Sequence, residues 1–139
     1  MYNLYTDGGS RGNPGYAAIG YLCFDENKKL VFKGKEFIGV ATNNFAEYTA
    51  LIKGLKICVN RGVQNLSCFM DSELVVKQLS REYKVKNENI KPLFDQVLNL
   101  VKQFSNIGFN YIPRKENKEA DKLVNEALDE RLDKKNSVL

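Results

Sequence analysis

The sequence contains no histidine. This absence excludes catalytic triads and dyads that use a histidine base, and it excludes zinc sites built on imidazole ligands. If the chain is an enzyme, its acid–base or metal chemistry must therefore rest largely on carboxylate side chains.

Cysteines are few, and long apolar runs are absent. Cys23, Cys58 and Cys68 lie far apart among apolar neighbours, so we expect buried free thiols and a reducing, cytoplasmic location. No stretch approaches the ~18 apolar residues that a membrane-spanning helix needs. Residues 1–10 lack the basic region and apolar core of a secretory signal. We therefore expect no membrane partner.

The size and charge of the chain favour one globular domain. It has 139 residues, of which 43% are hydrophobic, and a formal net charge of +4. This composition is enough for a core and argues against disorder. The mild positive charge permits a polyanionic partner without requiring one. We expect a monomer with a single domain over residues 1–139 and a frayed end at about 134–139.

The order of the apolar patterns predicts an α/β fold. Strands are predicted at residues 2–6, 16–24, about 30–38, 66–70 and 107–112, with a turn cluster at 8–15. Helices are predicted at about 42–61, 72–81, 90–104 and 118–132, the last with Asn117 as its cap. Three strands in close succession indicate an antiparallel meander, and strands separated by helices indicate parallel crossovers. We therefore expect a five-stranded mixed sheet flanked by helices.

Four carboxylates occur where such a sheet would place a ligand. Asp7 and Asp71 end the first and fourth predicted strands, while Glu47 and Asp121 lie early in helices. Ligands in sheets with parallel strands bind beyond the carboxyl ends of those strands, so we expect the four to converge on one rim. Each carboxylate alone has a structural explanation, because Asp favours turns and acidic residues favour helix starts. Convergence is what distinguishes a functional site.

A cluster of carboxylates is costly unless cations neutralise the mutual repulsion. Hard divalent ions such as Mg²⁺ prefer oxygen ligands of this kind and are often shared with a substrate phosphate. Two such ions ~3.5–4 Å apart can activate water and stabilise a leaving oxygen in phosphodiester cleavage. The residues therefore indicate a metal-dependent nuclease, with a purely structural Mg²⁺ site as the alternative.

The chain resembles type 1 ribonuclease H over essentially its full length. The resemblance lies in four blocks in the family's order: Tyr5–Gly15, Thr42–Glu47, Met70–Val75 and Pro113–Asp121. It implies an α/β fold of the ribonuclease H type. It also implies endonucleolytic hydrolysis of the RNA strand of RNA–DNA hybrids, leaving 3′-hydroxyl and 5′-phosphate ends.

The resemblance also implies the roles of the carboxylates. Asp7, Glu47, Asp71 and Asp121 match the catalytic, metal-binding quartet, which implies two Mg²⁺ ions per site, with Mn²⁺ able to substitute. Asp7 would bridge both ions, and Asp121 would hold the ion that activates water. Glu47 and Asp71 would hold the ion at the leaving 3′ oxygen.

A further set of residues matches the family's substrate contacts: Gly8, Gly9, Ser10, Asn13, Thr42, Asn43, Asn44, Arg114 and Lys115. The glycine-rich segment would approach the minor groove of the hybrid, because glycine lets the backbone come close to a ligand. The three asparagines match positions that contact 2′-hydroxyls or bases, and Asn can both donate and accept as a hydroxyl requires. Helix capping is the alternative for Asn43 and Asn44. Thr42 matches a phosphate contact on the DNA strand.

Two departures from the family bear on how the chain would act on its substrate. The chain lacks the loop histidine of many relatives and so resembles the histidine-lacking, archaeal-type branch. Arg114 and Lys115 lie in that neighbourhood instead. The gap between Arg81 and Ile90 is too short for the extra basic helix that some relatives use to grip the hybrid. Five basic residues either take part of that role or form an ordinary solvated face: Lys77, Arg81, Lys84, Lys86 and Lys91.

Two other functions remain open at this point. One is a broader nuclease that also cuts double-stranded RNA or RNA–DNA junctions. The other is a non-catalytic nucleic-acid-binding module with the same fold. The intact quartet argues against the second, because four anionic groups facing phosphates weaken the binding of a polyanion.

Overall fold

The computed structural model describes the backbone of residues 1–137 and the side chains of residues 1–132. Its elements, in chain order, are β1 (Tyr2–Gly12), β2 (Gly15–Phe24), β3 (Leu30–Ala41), α1 (Asn43–Asn60), β4 (Asn65–Met70), α2 (Glu73–Leu79), α3 (Lys91–Val101), β5 (Asn106–Tyr111), a 3₁₀ turn (Arg114–Glu116) and α4 (Lys118–Ser137). The predicted order of strands and helices is confirmed. None of the helices in residues 1–137 is both long and apolar enough to cross a membrane.

The strands form one mixed sheet in the order β3-β2-β1-β4-β5. β1 and β3 pair antiparallel with β2, whereas β4 pairs parallel with both β1 and β5. This arrangement confirms the predicted combination of a meander with parallel crossovers.

Helices cover the two faces of the sheet unequally. On one face α1 and α3 bury the larger core, with Leu4, Leu55, Cys68 and Val97 among its fully buried residues. On the other face α4 packs against β2, β3 and part of β1, where Val124 belongs to a smaller buried cluster. The three cysteines are buried free thiols, as expected.

The glycine-rich segment is not the turn cluster that was predicted. β1 continues through it to Gly12 and pairs with β2 from Asn3 to Gly12, so that only Asn13 and Pro14 remain as the connection. A cluster of glycines is typical of a turn, but Gly8 lies where β1 contacts α1. A Cβ there would lie 2.2 Å from the carbonyl carbon of Ala46. Glycine in a strand commonly marks such a close approach.

Several element boundaries also differ from prediction. α3 ends at Val101 rather than near Phe104, because the chain tightens into three-residue turns in which the Phe104 N–H donates to the Val101 carbonyl. α2 ends at Leu79, and Arg81 adopts a left-handed φ of 67° that is incompatible with a continuing helix. The backbone of α4 runs to Ser137, beyond the predicted end near residue 132. Residues 138–139 of the expected frayed end lie outside the described residues.

Asn117 precedes α4 but does not cap it with its side chain. Its Nδ2 donates instead to the Thr6 carbonyl at 2.9 Å, which ties the start of α4 to β1. The Asn117 carbonyl accepts the first helical hydrogen bond, from Asp121 N–H. The predicted side-chain cap is therefore wrong: Nδ2 is bound to the Thr6 carbonyl, and Oδ1, the atom that would accept from a first-turn N–H, has no hydrogen-bond partner among the described residues.

Candidate active site

The end of the parallel ladder between β1 and β4 places two carboxylates side by side. The last paired residues are Tyr5 and Phe69, and Asp7 and Asp71 each lie two residues beyond them. The prediction that Asp7 ends its strand is wrong, because β1 continues along β2 as far as Gly12. The two strands separate after the ladder and leave an opening at the rim of the sheet.

The start of α1 brings a third carboxylate to this opening. Thr42 is the N-cap of α1, and its hydroxyl oxygen accepts from Phe45 N–H at 3.2 Å. Glu47 follows in the next turn, buried against β1, where its Oε1 accepts from Gly8 N–H at 2.6 Å. One carboxylate oxygen from each of Asp7, Glu47 and Asp71 lies within 4.8 Å of the others.

Asp121, in the first turn of α4, lines the same groove as these three carboxylates. It stands outside the 4.8 Å group formed among the described side chains. Arg114 reaches towards it, with Nη2 3.4 Å from Asp121 Oδ1. The structure therefore brings all four predicted carboxylates to one groove, with three in a tight cluster and the fourth beside an arginine.

Burial makes this cluster electrostatically costly. Asp7 and Glu47 are each only 8% exposed. Burial raises the pKa of Asp7, and the negative charges of Glu47, Asp71 and Asp121 raise it further. Burial also raises the pKa of Glu47, although hydrogen bonds from Asp7 and from Gly8 N–H partly oppose that rise. A bound cation would relieve the cost of holding these groups ionised.

The groove around the cluster has a volume of about 570 Å³. Six of the predicted substrate contacts line it: Gly8, Gly9, Ser10, Asn43, Asn44 and Arg114. The remaining three, Asn13, Thr42 and Lys115, do not. Asn13 and Asn43 hold the β1–β2 hairpin against α1, because Asn13 Oδ1 accepts from Asn43 N–H at 3.1 Å and Asn43 Oδ1 accepts from Ser10 N–H at 2.8 Å.

Five further residues line this groove and were not predicted from the sequence: Arg11, Ser72, Val124, Asn125 and Leu128. Three of them follow Asp121 at helical spacing and so share its face of α4, a signal that the sequence contained. Ser72 caps α2 directly after Asp71. Arg11 gave no such signal, because its position depends on long-range contacts with Asn125 at 3.3 Å and Asp129 at 2.8 Å.

Comparison with known proteins gives the same fold and family. Residues 5–127 match the model of the reverse transcriptase-like family. The chain is 44% identical over 127 residues to the bifunctional protein Rv2228c of Mycobacterium tuberculosis, covering 91% of this chain and 35% of that protein. It is 38% identical over 128 residues to ribonuclease HI of Halobacterium salinarum, covering 92% of this chain and 64% of that one. The chain thus spans only about a third to two thirds of the length of these relatives.

Solved structures agree with this similarity. The structure of LC11-RNase H1 in complex with an RNA/DNA hybrid superposes with a TM-score of 0.90 at 40% identity, covering 95% of this chain and 99% of that one. The fold and the carboxylate groove define an α/β domain of the ribonuclease H-like class. The chain belongs to the type 1 ribonuclease H family.

Proposed function

We propose that the chain is a ribonuclease H, an endoribonuclease that hydrolyses the RNA strand of RNA–DNA hybrids to 3′-hydroxyl and 5′-phosphate ends. The observation that carries this proposal is the convergence of Asp7, Glu47 and Asp71 within 4.8 Å, in a groove shared with Asp121. The relative LC11-RNase H1 has been solved with an RNA/DNA hybrid, which supports the choice of substrate.

The residues of the cluster fit divalent metal ions. All of them are hard oxygen donors, which suits Mg²⁺ or Mn²⁺, and the raised pKa values of Asp7 and Glu47 arise from burial and charge that a cation would offset. We propose that Asp7, Glu47, Asp71 and Asp121 hold two such ions. Bound divalent ions in a site of this type activate the attacking water and neutralise charge on the leaving oxygen.

The chain's own residues would position the substrate around the ions. The Gly8 N–H holds Glu47 in place, and the bare backbone of Gly9 leaves room for a nucleic-acid strand. Asn44 lines the groove and offers both donors and an acceptor to a 2′-hydroxyl, the group that distinguishes RNA from DNA. Arg114 lies 78% exposed beside Asp121, where a guanidinium can contact a phosphate.

A second basic region lies away from the carboxylates. Arg81, Lys84 and Lys91 line a groove of about 370 Å³ together with Phe94, over whose ring the Arg81 guanidinium lies at 5.6 Å. We propose that this surface contacts the backbone of the hybrid and takes part of the role of the missing basic helix. The expected monomeric state, single domain and cytoplasmic location stay predictions.

The experiment that tests the proposal is a cleavage assay on four labelled substrates: RNA–DNA hybrid, double-stranded RNA, single-stranded RNA and duplex DNA. Each is incubated with Mg²⁺, Mn²⁺ or EDTA, and the product ends are mapped. We expect cleavage of the hybrid with either metal and none in EDTA. Additional cleavage of double-stranded RNA would identify the broader nuclease, and binding without any cleavage would identify the non-catalytic module.

A further inference from the structure

Lys115 lies in a different groove from its neighbour Arg114. The second groove, of about 450 Å³, is lined by Tyr5, Leu22 and Phe24 and by Lys28 and Lys115. It lies on the sheet face that carries α4. Because α4 packs mainly on β2 and β3, this face remains open where β1 meets β4.

The floor of this second groove is aromatic. The ring of Tyr5 stacks on that of Phe69, with centroids 4.9 Å apart and planes at 18°, and Phe24 meets Tyr5 edge-on at 5.9 Å. Tyr5 contacts both of the other rings, and Tyr5 and Phe24 line the groove, so these packed rings form its floor. Planar nucleobases stack well on such rings, and the stacking tolerates any base.

The rim of the groove carries lysines suited to phosphate. No acidic side chain among residues 1–132 forms an ion pair with Lys28, Lys115 or Lys118. Glu116 and Glu119 also line the groove, which leaves a formal excess of one positive charge there. A strand that places its phosphates on the lysines and keeps away from the two glutamates would match this rim.

Asn117 adds a polar group to the lining. Its side chain is buried, with Nδ2 bound to the Thr6 carbonyl, and its Oδ1 has no hydrogen-bond partner among the described residues. An unsatisfied buried acceptor calls for a donor. The exocyclic amino groups of nucleobases are donors of this kind.

The two grooves are lined by residues that are neighbours in the sequence. Arg114 lines the carboxylate groove and Lys115 lines the second one, on the same 3₁₀ turn. Tyr5 is two residues from Asp7, about 7 Å along a strand. The geometry points to a single-stranded nucleotide site: the second groove binds an unpaired nucleotide of a strand that continues beyond the duplex in the carboxylate groove. This inference rests on the proposed function for the identity of that duplex.

The test compares the binding of blunt RNA–DNA hybrid with that of hybrids bearing a single-stranded RNA or DNA extension at either end. Binding is measured by fluorescence anisotropy at fixed salt, in an Asp71→Asn background with Mg²⁺, in which cleavage is expected to be lost. We expect one extended hybrid to bind about tenfold more tightly than the blunt one, within the range that one stacked base contributes. Equal affinity for all the hybrids would overturn the inference.

Two variants locate the effect in the second groove. Phe24→Leu and the double variant Lys28→Gln/Lys118→Gln should each remove the advantage of the extension and leave the affinity for blunt hybrid unchanged. The double variant alters exposed lysines, so it tests the site even if Phe24→Leu fails to fold. Lys56→Gln, an exposed lysine on α1, is the matched control and should retain the advantage. An advantage that survives in the double variant would overturn the inference.

Failure of this inference is distinguishable from failure of the proposed function. Cleavage of blunt hybrid by the unaltered chain, with no advantage from any extension, would reject only the nucleotide site. Extension-dependent binding without cleavage of hybrid by the unaltered chain would reject only the nuclease. A concentration-dependent dimer that Lys28→Gln/Lys118→Gln abolishes would assign the groove to a second copy of the chain and would also overturn the inference.

Discussion

The backbone N–H of Gly8 in β1 donates a 2.6 Å hydrogen bond to Oε1 of Glu47 in α1. A Cβ on Gly8 would lie 2.2 Å from the carbonyl carbon of Ala46, directly before Glu47. Strand and helix can approach this closely only because residue 8 has no side chain. The same approach places Glu47 beside Asp7, so one glycine supports both the packing and the carboxylate cluster.

We expect Gly8→Ala to damage stability and metal binding together. The added methyl meets backbone rather than a movable side chain, so the free energy of unfolding should fall by about 1–3 kcal/mol or more. Stabilisation by Mg²⁺ should also weaken because Glu47 is displaced. Urea denaturation with and without Mg²⁺ measures both effects. Gly108→Ala in β5 is the control, because its Cβ would meet nothing within 4 Å; equal effects of the two variants would contradict the close-approach account.

Without metal, the chain should lose stability as the pH rises above about 4. The folded-state pKa values of Asp7 and Glu47 are raised above their ordinary values of 3.8 and 4.5. At a pH between the ordinary and the folded-state pKa values, the folded state therefore holds more protons than the unfolded chain. Stability is therefore greatest below the ordinary values and falls as the pH rises through the folded values. Urea unfolding in EDTA across this range should show the decline. Asp7→Asn should flatten it and Glu88→Gln, at an exposed carboxylate, should not.

Protons should compete with Mg²⁺ for the cluster. Because burial and mutual repulsion raise the pKa values of Asp7 and Glu47, ligand deprotonation accompanies metal binding and becomes harder at low pH. The Mg²⁺ concentration that gives half-maximal cleavage of the hybrid should therefore rise as the pH is lowered from 8 to 6. Titrations of rate against Mg²⁺ at several pH values measure this. A half-maximal concentration that is independent of pH would mean that the ligands are already ionised without metal.

The basic groove should contribute to binding through phosphate contacts. Lys84→Gln/Lys91→Gln should weaken binding of hybrid evenly across sequences and reduce the slope of log affinity against log salt by up to about two. Both lysines line the groove with Arg81. Lys56→Gln/Lys102→Gln, which changes two exposed lysines outside the described grooves, is the charge-matched control. Identical salt slopes for the two double variants would indicate that the basic residues of this groove are an ordinary solvated surface.

Much of the fold was predictable because local signals agreed with tertiary structure. Helical spacing of apolar residues in α1 and the turn before β4 both predicted the elements that formed. The glycine-rich part of β1 was not predicted as a strand, because glycine is required at residue 8 by a contact with α1. The α1 residue that Gly8 binds, Glu47, lies 39 residues further along the chain. The predicted side-chain cap at Asn117 is wrong for the same kind of reason. Its side-chain amide donates to the carbonyl of Thr6, which lies 111 residues away in the sequence.

The site was predictable in its carboxylates but not in its surroundings. Asp7, Glu47, Asp71 and Asp121 stood out because motif order and topology indicated one rim. Residues such as Arg11 and Lys115 depend on how α4 and the 3₁₀ turn sit over the sheet, which no local pattern specifies. The division of Arg114 and Lys115 between two grooves is therefore visible only in three dimensions.

The most direct measurement is single-turnover cleavage of a labelled RNA–DNA hybrid by the unaltered chain, by Asp71→Asn and by Glu73→Gln. Glu73 is the matched control, because it lies in the same sequence block but is exposed and paired with Lys77 at 2.8 Å. With Mg²⁺, we expect Asp71→Asn to be slower by at least about 100-fold, since even residues that only support metal ligands contribute up to that much. Glu73→Gln should cleave at close to the unaltered rate, and EDTA should stop all three. Full cleavage by Asp71→Asn, or undiminished cleavage in EDTA, would contradict a nuclease built on carboxylate-bound metal ions.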